Sequence, residues 1–155
     1  LYVGRLKVEK GIFSLLKIFK EIPDDIYLSI VGKKEKEILN NKNINYIGYG
    51  YEAPDLIKIY DKHNIFILPS FTEAHPKVID ESLARKRPVI IFEEIKHIIQ
   101  NREGIFVSKR NAKSLVETIN FIIKNYAKIQ ERMKKNKLPT KQEFISRMSN
   151  ILSSN

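Results

Sequence analysis

The sequence contains no cysteine and no tryptophan among its 155 residues. The absence of cysteine excludes disulfides and thiolate metal sites, and it fits a reducing compartment such as the cytoplasm. No apolar run approaches the length of about 20 residues that a membrane-spanning helix needs. The apolar share of 43% is ordinary for a globular domain. These features favour one globular domain with a hydrophobic core.

Acidic residues are scarce relative to basic ones, 18 against 28, so the net charge is +10. Such an excess favours anionic partners, which are nucleic acid, acidic lipid headgroups or phosphorylated small molecules. Much of the charge lies between Lys124 and Lys137. This stretch indicates either a solvated helix face or a surface that holds the protein on the inner face of an acidic membrane, at about 1 kcal/mol per basic residue.

Short apolar runs alternate with segments of helical period. The runs are apolar on both faces, as strands of a buried parallel sheet must be. The pattern therefore predicts an α/β fold, a Rossmann-like doubly wound parallel sheet of about six strands with helices on both faces. The predicted strands are Leu1–Val3, Ile26–Val31, Ile44–Ile47, Ile65–Leu68, Pro88–Ile91 and Ile105–Val107.

Helices are predicted where apolar residues recur three and four positions apart. Asn111 is a candidate N-cap, and Thr140 with Glu143 forms a capping box that predicts a last helix over 140–153. Residues 1–155 are predicted to form a single domain. Because the first residue is Leu1, we expect the natural chain to begin earlier. The predicted helical stripes are Ile12, Leu15, Leu16 and Phe19; Ala53, Leu56, Ile57 and Tyr60; Val78, Ile79, Ser82 and Leu83; and Leu115, Val116, Ile119, Ile122 and Ile123.

The loop after the first predicted strand contains Gly4, Arg5 and Lys10. Ligands of open α/β sheets bind beyond the carboxyl ends of the strands, so this loop is a candidate site. Gly4 permits a sharp turn, Arg5 offers a planar fork of donors, and Lys10 adds a mobile charge. Together they would bracket a diphosphate; the alternative is an exposed turn in a lysine-rich protein.

The loop after the fourth predicted strand contains Glu73, and Glu81 follows on the next helix. Pro76 suits the first turn of that helix. Because Glu81 falls outside the face expected to meet the sheet, it can point into the cleft above the strands. Carboxylates accept hydrogen bonds from vicinal hydroxyls, so Glu81 suits a ribose and Glu73 a hexose. The alternative is a surface pair on a charged helix.

Backbone amides around His75, Lys77 and Val78 are candidate donors to phosphate or sugar oxygens, because they lie where a helix begins. For His75 itself we expect the role of a loop donor. A general base would need an orienting carboxylate, and none is evident near it in sequence.

Taken together, these segments resemble the C-terminal domain of retaining GT-B glycosyltransferases, the family four-like group related to glycogen synthase and to bacterial lipopolysaccharide glycosyltransferases. The resemblance extends from Leu1 to about Ile123. Each segment is a weak signal, but their joint order and spacing are specific. They are Val3-Gly4-Arg5, Glu9-Lys10-Gly11, Tyr46-Ile47-Gly48-Tyr49, Ile65-Phe66-Ile67-Leu68-Pro69-Ser70, the pair Glu73 and Glu81, Ala84, and Pro88-Val89-Ile90.

The resemblance implies a role for each candidate residue. Arg5 and Lys10 would grip the donor diphosphate, and Glu73 would contact the donor sugar. Glu81 would bind the ribose. The amides of Ala74, His75, Lys77 and Val78 would cradle the sugar hydroxyls and the distal phosphate, and Tyr49 and Gly50 would lie against the nucleobase.

The resemblance also implies the partners. The expected substrate is a nucleotide sugar, and the acceptor would be a glycan or lipid-linked saccharide of the cell envelope, bound by an N-terminal domain that this chain lacks. No cofactor and no metal are expected, since such enzymes need none and the sequence has no Asp-x-Asp or histidine cluster. No nucleic acid is expected either, although the charge leaves a basic nucleic-acid-binding module as a less favoured alternative.

The sequence departs from the family pattern at several positions. Relatives usually have glycine where Ala74 and Lys86 stand, and Gly-x-Gly where this chain has Gly32-Lys33-Lys34. The segment Phe92–His97 is the most divergent, and relatives often carry a glycine-rich turn there, close to the donor sugar. These departures keep open the alternative of a non-catalytic GT-B-like partner subunit.

Overall fold

The computed structural model describes residues 1–33, 41–140 and 142–143. All six predicted strands are present in the predicted order. They form two three-stranded parallel sheets, with neighbours β1-β2-β3 and β4-β5-β6. The strands are β1 (Tyr2–Val3), β2 (Leu28–Val31), β3 (Ile44–Gly48), β4 (Phe66–Leu68), β5 (Val89–Phe92) and β6 (Ile105–Ser108).

The two sheets meet where β1 lies beside β4. The backbone nitrogen of Leu1 donates to the carbonyl of Ile65 at 2.8 Å, and the amide of Ile67 donates to the carbonyl of Leu1 at 2.9 Å. These bonds give the strand order 3-2-1-4-5-6. The order reverses between β1 and β4, so the loops that leave their carboxyl ends are neighbours.

Both faces of the sheets are covered. Every residue of β2, β4 and β5 is buried. Since successive side chains of a strand point to opposite faces, continuous burial requires packed layers on both sides. The predicted doubly wound α/β class is therefore confirmed.

Five α-helices connect or flank the strands of the described part. In α1 the predicted stripe is buried, and in α4 the side chain of Asn111 accepts from the amide of Ser114 at 2.9 Å, as its capping role requires. The helices are α1 (Ile12–Ile18), α2 (Ala53–Asp61), α3 (Lys77–Ala84), α4 (Ala112–Lys124) and α5 (Tyr126–Met133).

Two helical stripes are predicted incorrectly in part. In α2, Ala53 and Ile57 are exposed; the packed side consists of Leu56 with its neighbours three and four residues further on, Ile59 and Tyr60. In α4, Ile123 is 51% exposed. Ile57 and Ile123 lie about a quarter turn away from the buried stripe, so their side chains face outward, whereas Ala53 is the first residue of α2.

Three elements have no counterpart in the prediction: α5 and two 3-10 helices, Val8–Lys10 and Glu93–Ile99. The helix α5 occupies much of the basic stretch and buries Ile129 and Met133, while its charged residues remain exposed. The capping box at Thr140 is formed, but the rest of the predicted last helix lies outside the described residues, as does Lys34. No helix of the described part is both long and apolar enough to span a membrane.

Candidate functional site

The side chains of Lys10 and Glu73 meet at the junction of the β1 and β4 loops. Lys10 ends the first 3-10 helix, and its Nζ lies 2.6 Å from Oε1 of Glu73; the two side chains are 23% and 10% exposed. The fully buried Ser70 donates to the same oxygen at 2.7 Å. Charge-assisted bonds of this kind are short and strong, so the carboxylate is held in one orientation. Residues that are 63 positions apart in sequence are thus brought together.

Gly11 allows this junction to form. Its φ is +67°, and a Cβ built there would lie 1.8 Å from the carbonyl oxygen of Pro69. The amide of Phe71 also donates to the carbonyl of Glu9 at 3.1 Å, so the two loops touch through their backbones. No role was predicted for Gly11, although a glycine directly before a helix is the signal of a close approach.

A buried tyrosine supports the turn at Gly4 and Arg5. The hydroxyl of Tyr2 donates to the carbonyl of Arg5 at 2.7 Å, and the amide of Gly4 donates to Val31 at 2.9 Å. Burial, followed by the nearby charge of Glu73, raises the pKa of Tyr2 far above its usual value, so the hydroxyl stays a donor. The side chain of Arg5 is exposed. Sequence reasoning treated Tyr2 only as a strand residue.

The helix α3 begins one residue later than predicted. Pro76 is its N-cap, with extended backbone angles (φ −77°, ψ 109°), and the first helical residue is Lys77. The first-turn amides of a helix have no partner within the helix, so Lys77 and Val78 present theirs toward the preceding loop. Ala74 and His75 in that loop are exposed.

The expectation that no carboxylate orients His75 is wrong. Oδ2 of Asp80 lies 3.3 Å from Nε2 of His75, because the loop folds back over the first turn of α3. The other oxygen of Asp80 accepts from Arg102 at 2.7 Å. His75 is 58% exposed, so Asp80 fixes a ring that still faces solvent.

Glu81 lies outside the buried face of α3, as predicted. It is exposed, and its Oε2 accepts from the hydroxyl of Tyr60 at 3.0 Å. Tyr60 belongs to α2 and is 2% exposed. Burial, followed by the charge of Glu81, raises the pKa of Tyr60 well above its usual range, so this hydroxyl also remains a donor. The carboxylate thus turns toward α2.

The loop after β3 presents an aromatic side chain. Tyr49 is 61% exposed, and Gly50 has a φ of +79° with open space around the position of a Cβ. The neighbouring Tyr51 donates to the carbonyl of Ile47 at 2.9 Å, which closes the loop. An exposed ring at the end of a strand can stack on a planar ligand.

The divergent segment reaches the same junction. It forms the second 3-10 helix (Glu93–Ile99), which buries Ile95 and Ile98. Nε2 of His97 lies 2.9 Å from the carbonyl oxygen of Glu73. Lys86, where relatives usually have glycine, has a φ of +54°, so this chain keeps the left-handed backbone with a lysine.

A cavity of about 510 Å³ opens at the other edge of the sheet. Its lining includes Ile26, Leu28 and Ile65, at the amino ends of β2 and β4. Ligands of this fold class bind at the carboxyl ends of the strands, where Lys10 and Glu73 meet. We therefore take the junction of Lys10 and Glu73, and not this cavity, as the candidate functional site.

A doubly wound parallel sheet whose strand order reverses between β1 and β4 defines the class of Rossmann-like α/β domains. Within that class, the chain belongs to the family described as Glycosyl transferases group 1, whose model matches residues 1–138. The capsular polysaccharide biosynthesis glycosyltransferase CapM of Staphylococcus aureus is 29% identical over 138 residues, which are 79% of this chain and 36% of CapM. The chain spans about a third of the length of the curated relatives it matches.

Solved structures agree on the fold. Sucrose-phosphate synthase from Thermosynechococcus elongatus has a TM-score of 0.78 at 20% identity, covering 99% of this chain and 44% of that chain. Anabaena HepE in complex with UDP-glucose has a TM-score of 0.73 at 15% identity, covering 99% and 48%. The expected family and the Rossmann-like half of a GT-B fold are confirmed.

Proposed function

We propose that this chain is the donor-binding domain of a retaining glycosyltransferase, which moves a sugar from a nucleotide diphosphate sugar to an acceptor. The observation that carries the proposal is the contact of 2.6 Å between Lys10 and Glu73, at the junction where the strand order reverses. Family membership supports glycosyl transfer. The complex of HepE with UDP-glucose supports a nucleotide sugar as the donor.

The chemistry suits the residues at this junction. Glycosyl transfer builds positive charge on the sugar and negative charge on the departing diphosphate. Arg5 and Lys10 would bind the diphosphate and stabilise that negative charge more in the transition state than in the ground state. An ammonium has three donors, so Lys10 can keep its bond to Glu73 while it contacts phosphate. Glu73 would then face the sugar.

The remaining residues would hold the rest of the donor. The amides from Ala74 to Val78 would receive sugar and phosphate oxygens at the start of α3. Glu81 would bind the ribose, and Tyr49 with Gly50 would lie against the base. We propose attack on the same face of the sugar, assisted by the leaving phosphate and without a metal.

The acceptor would be bound by another part of the protein. CapM takes part in capsular polysaccharide biosynthesis, which supports a glycan or lipid-linked saccharide of the cell envelope as the acceptor class. This chain alone is therefore expected to bind the donor and to transfer nothing. We place the protein in the cytoplasm, at the inner face of the membrane.

The basic residues near α5 would make the membrane contact. Arg132 is paired with Glu103 and Lys134 with Glu131, so part of the positive charge is already neutralised. Co-sedimentation with liposomes should consequently be weak and should require anionic lipid. Binding that is independent of anionic lipid would remove this part of the proposal.

Calorimetric titration with UDP, GDP and ADP tests the donor site. We expect saturable binding of one of them, weakened about tenfold or more by Lys10→Ala. The matched control is Lys42→Ala, because Lys42 forms an ion pair with Asp24 on the exposed surface. No saturable binding by a folded sample would contradict the proposal.

Duplex binding and turnover by the longer protein separate the two alternatives. A basic nucleic-acid-binding module would bind duplexes with a steep salt dependence and would ignore Glu81→Ala. A non-catalytic partner subunit would keep the fold without turnover by the longer protein. The intact contact between Lys10 and Glu73 favours the catalytic reading over the second alternative.

A further inference from the structure

Arg110 has no place in the proposed donor site, yet it lies directly beside the junction. It belongs to the loop between β6 and α4, and its side chain is 15% exposed. The guanidinium lies between two aromatic rings, 4.1 Å from the centre of Phe71 and 4.3 Å from the centre of Phe92. Stacking on aromatic faces is a property of the planar guanidinium that lysine does not share.

The donors of Arg110 reach three separate elements. Nη1 donates to the hydroxyl of Ser14 on α1 and to the carbonyl of Pro69, both at 2.8 Å. Nη2 donates to the carbonyl of Ser70 at 3.3 Å. Nε donates to Glu94 of the second 3-10 helix at 2.7 Å. One side chain thus ties α1, the β4–α3 loop and the divergent segment together.

These contacts lead to Glu73 through Ser70. Arg110 binds the backbone carbonyls of Pro69 and Ser70, and the hydroxyl of Ser70 donates to the carboxylate of Glu73. The ring of Phe71, the next residue, covers the guanidinium. Arg110 therefore holds Pro69, Ser70 and Phe71, three consecutive residues of the segment that leads to Glu73.

Glu94 fixes Arg110 in turn. The Arg110 guanidinium holds the pKa of the Glu94 carboxyl below its usual range, so this acid is ionised at neutral pH. Glu94 lies in the divergent segment. That segment consequently contacts the junction twice, through Glu94 on Arg110 and through His97 on the carbonyl of Glu73.

We propose that Arg110 is a positioning residue, which holds the backbone of residues 69–71 so that the carboxylate of Glu73 faces Lys10 and, on binding, the donor sugar. The part of the inference that concerns the sugar rests on the proposed function. The part that concerns the loop does not, because it is observable without ligand.

Amide hydrogen exchange tests the ligand-free part. In Arg110→Lys, which keeps the charge but loses the fork, exchange of the Phe71 amide, which donates to the carbonyl of Glu9, should rise about tenfold, which is about 1.4 kcal/mol. The control is Arg85→Lys, because Arg85 makes a two-point pair with Asp61 at the surface. Unchanged exchange in Arg110→Lys would overturn the proposal, whatever the protein binds.

A milder variant covers the case in which Arg110→Lys does not fold. Glu94→Gln leaves the guanidinium in place and removes one of its partners. Exchange of the Phe71 amide should then rise by a smaller factor. If Arg110→Lys were unfolded and Glu94→Gln exchanged like wild type, the proposal would be rejected.

Ligand binding tests the part that concerns the sugar. The readout is the affinity for a nucleotide sugar divided by the affinity for its nucleoside diphosphate. Arg110→Lys should lower this ratio as Glu73→Gln does, and the double variant should lower it no further. A merely structural role would weaken both ligands by the same factor and would refute the assignment. If wild type bound neither ligand, the proposed function would fail, and the exchange experiment would still decide the positioning role.

Discussion

Glu73 and Glu81 are held by neighbours of different kinds, although only seven residues separate them in sequence. The side chain of Glu73 is 10% exposed and is bound by the ammonium of Lys10 and the hydroxyl of Ser70. Glu81 is exposed on α3 and accepts from the neutral hydroxyl of Tyr60. One acid belongs to a loop junction and the other to a pair of helices.

The difference indicates two levels of preorganisation within one site. Charge-assisted hydrogen bonds are about twice as strong as neutral ones, and partial burial strengthens them further. The junction around Glu73 is therefore expected to be rigid before any ligand arrives. Glu81 is exposed and uses only Oε2 for the tyrosine, so in the proposed function its other oxygen would be open to a ribose hydroxyl. The variants below separate these two regions.

The largest effect is expected for Gly11→Ala, which breaks the junction. The new Cβ would lie 1.8 Å from the carbonyl oxygen of Pro69, and the backbone would stay in a left-handed conformation. A loss of about 4 kcal/mol or failure to fold is expected in urea unfolding. Gly50→Ala is the control, because it has the same sign of φ with open space, and should cost only about 1–2 kcal/mol. Equal losses would show that the loops are not in contact.

Lys10→Ala should destabilise the chain by about 2 kcal/mol, because it leaves the mostly buried carboxylate of Glu73 without its cation. The control is Lys58→Ala, which removes an exposed pair with Asp55 and should cost at most about 0.5 kcal/mol. Chemical denaturation measures both. A loss no larger than that of the control would argue against a preorganised junction.

Tyr60→Phe probes the second region and should cost about 1 kcal/mol, because Glu81 can replace the lost donor with water. Nuclear magnetic resonance should find the signals of Lys10 and Glu73 unchanged. A loss as large as that of Lys10→Ala would erase the distinction between the two acids.

The smallest effect is expected for Lys86→Gly, at the end of α3. Lys86 has a φ of +54°, which glycine adopts without strain, so the change should stabilise the chain by up to about 1 kcal/mol. Lys62→Gly is the control, because Lys62 caps α2 with a φ of −79° and should lose stability instead. A loss at both positions would contradict the assignment of strain to Lys86.

The sequence predicted the layout of the site better than its contacts. The positions of the strands along the chain and the position of Glu81 outside the buried face followed from apolar runs and helical period, which are local properties. A close approach at Gly11 could have been predicted from its place before a helix, but its partner could not, because Pro69 lies at a distant strand end. The stacking of Arg110 between Phe71 and Phe92 depends likewise on residues that only the folded chain brings together.

The basic stretch shows what composition predicts and what it leaves out. Its many lysines indicated a solvated helix face, and the charged residues of α5 are exposed; the packed side, Ile129 and Met133, was not predicted. At Lys86 the sequence suggested a difference that the backbone does not show. A family glycine was missing, yet the backbone kept the conformation that glycine favours, so the departure changed the local strain and not the fold.

The most direct test of the donor site compares Glu73→Gln and Glu81→Gln in their affinities for a nucleoside diphosphate and for the corresponding nucleotide sugar. Glu81→Gln should weaken both ligands by the same factor, because the ribose is common to them. Glu73→Gln should weaken the nucleotide sugar and leave the nucleoside diphosphate nearly unchanged. If both variants weakened both ligands equally, or if neither had any effect, the assignment of Glu73 to the sugar and Glu81 to the ribose would be wrong.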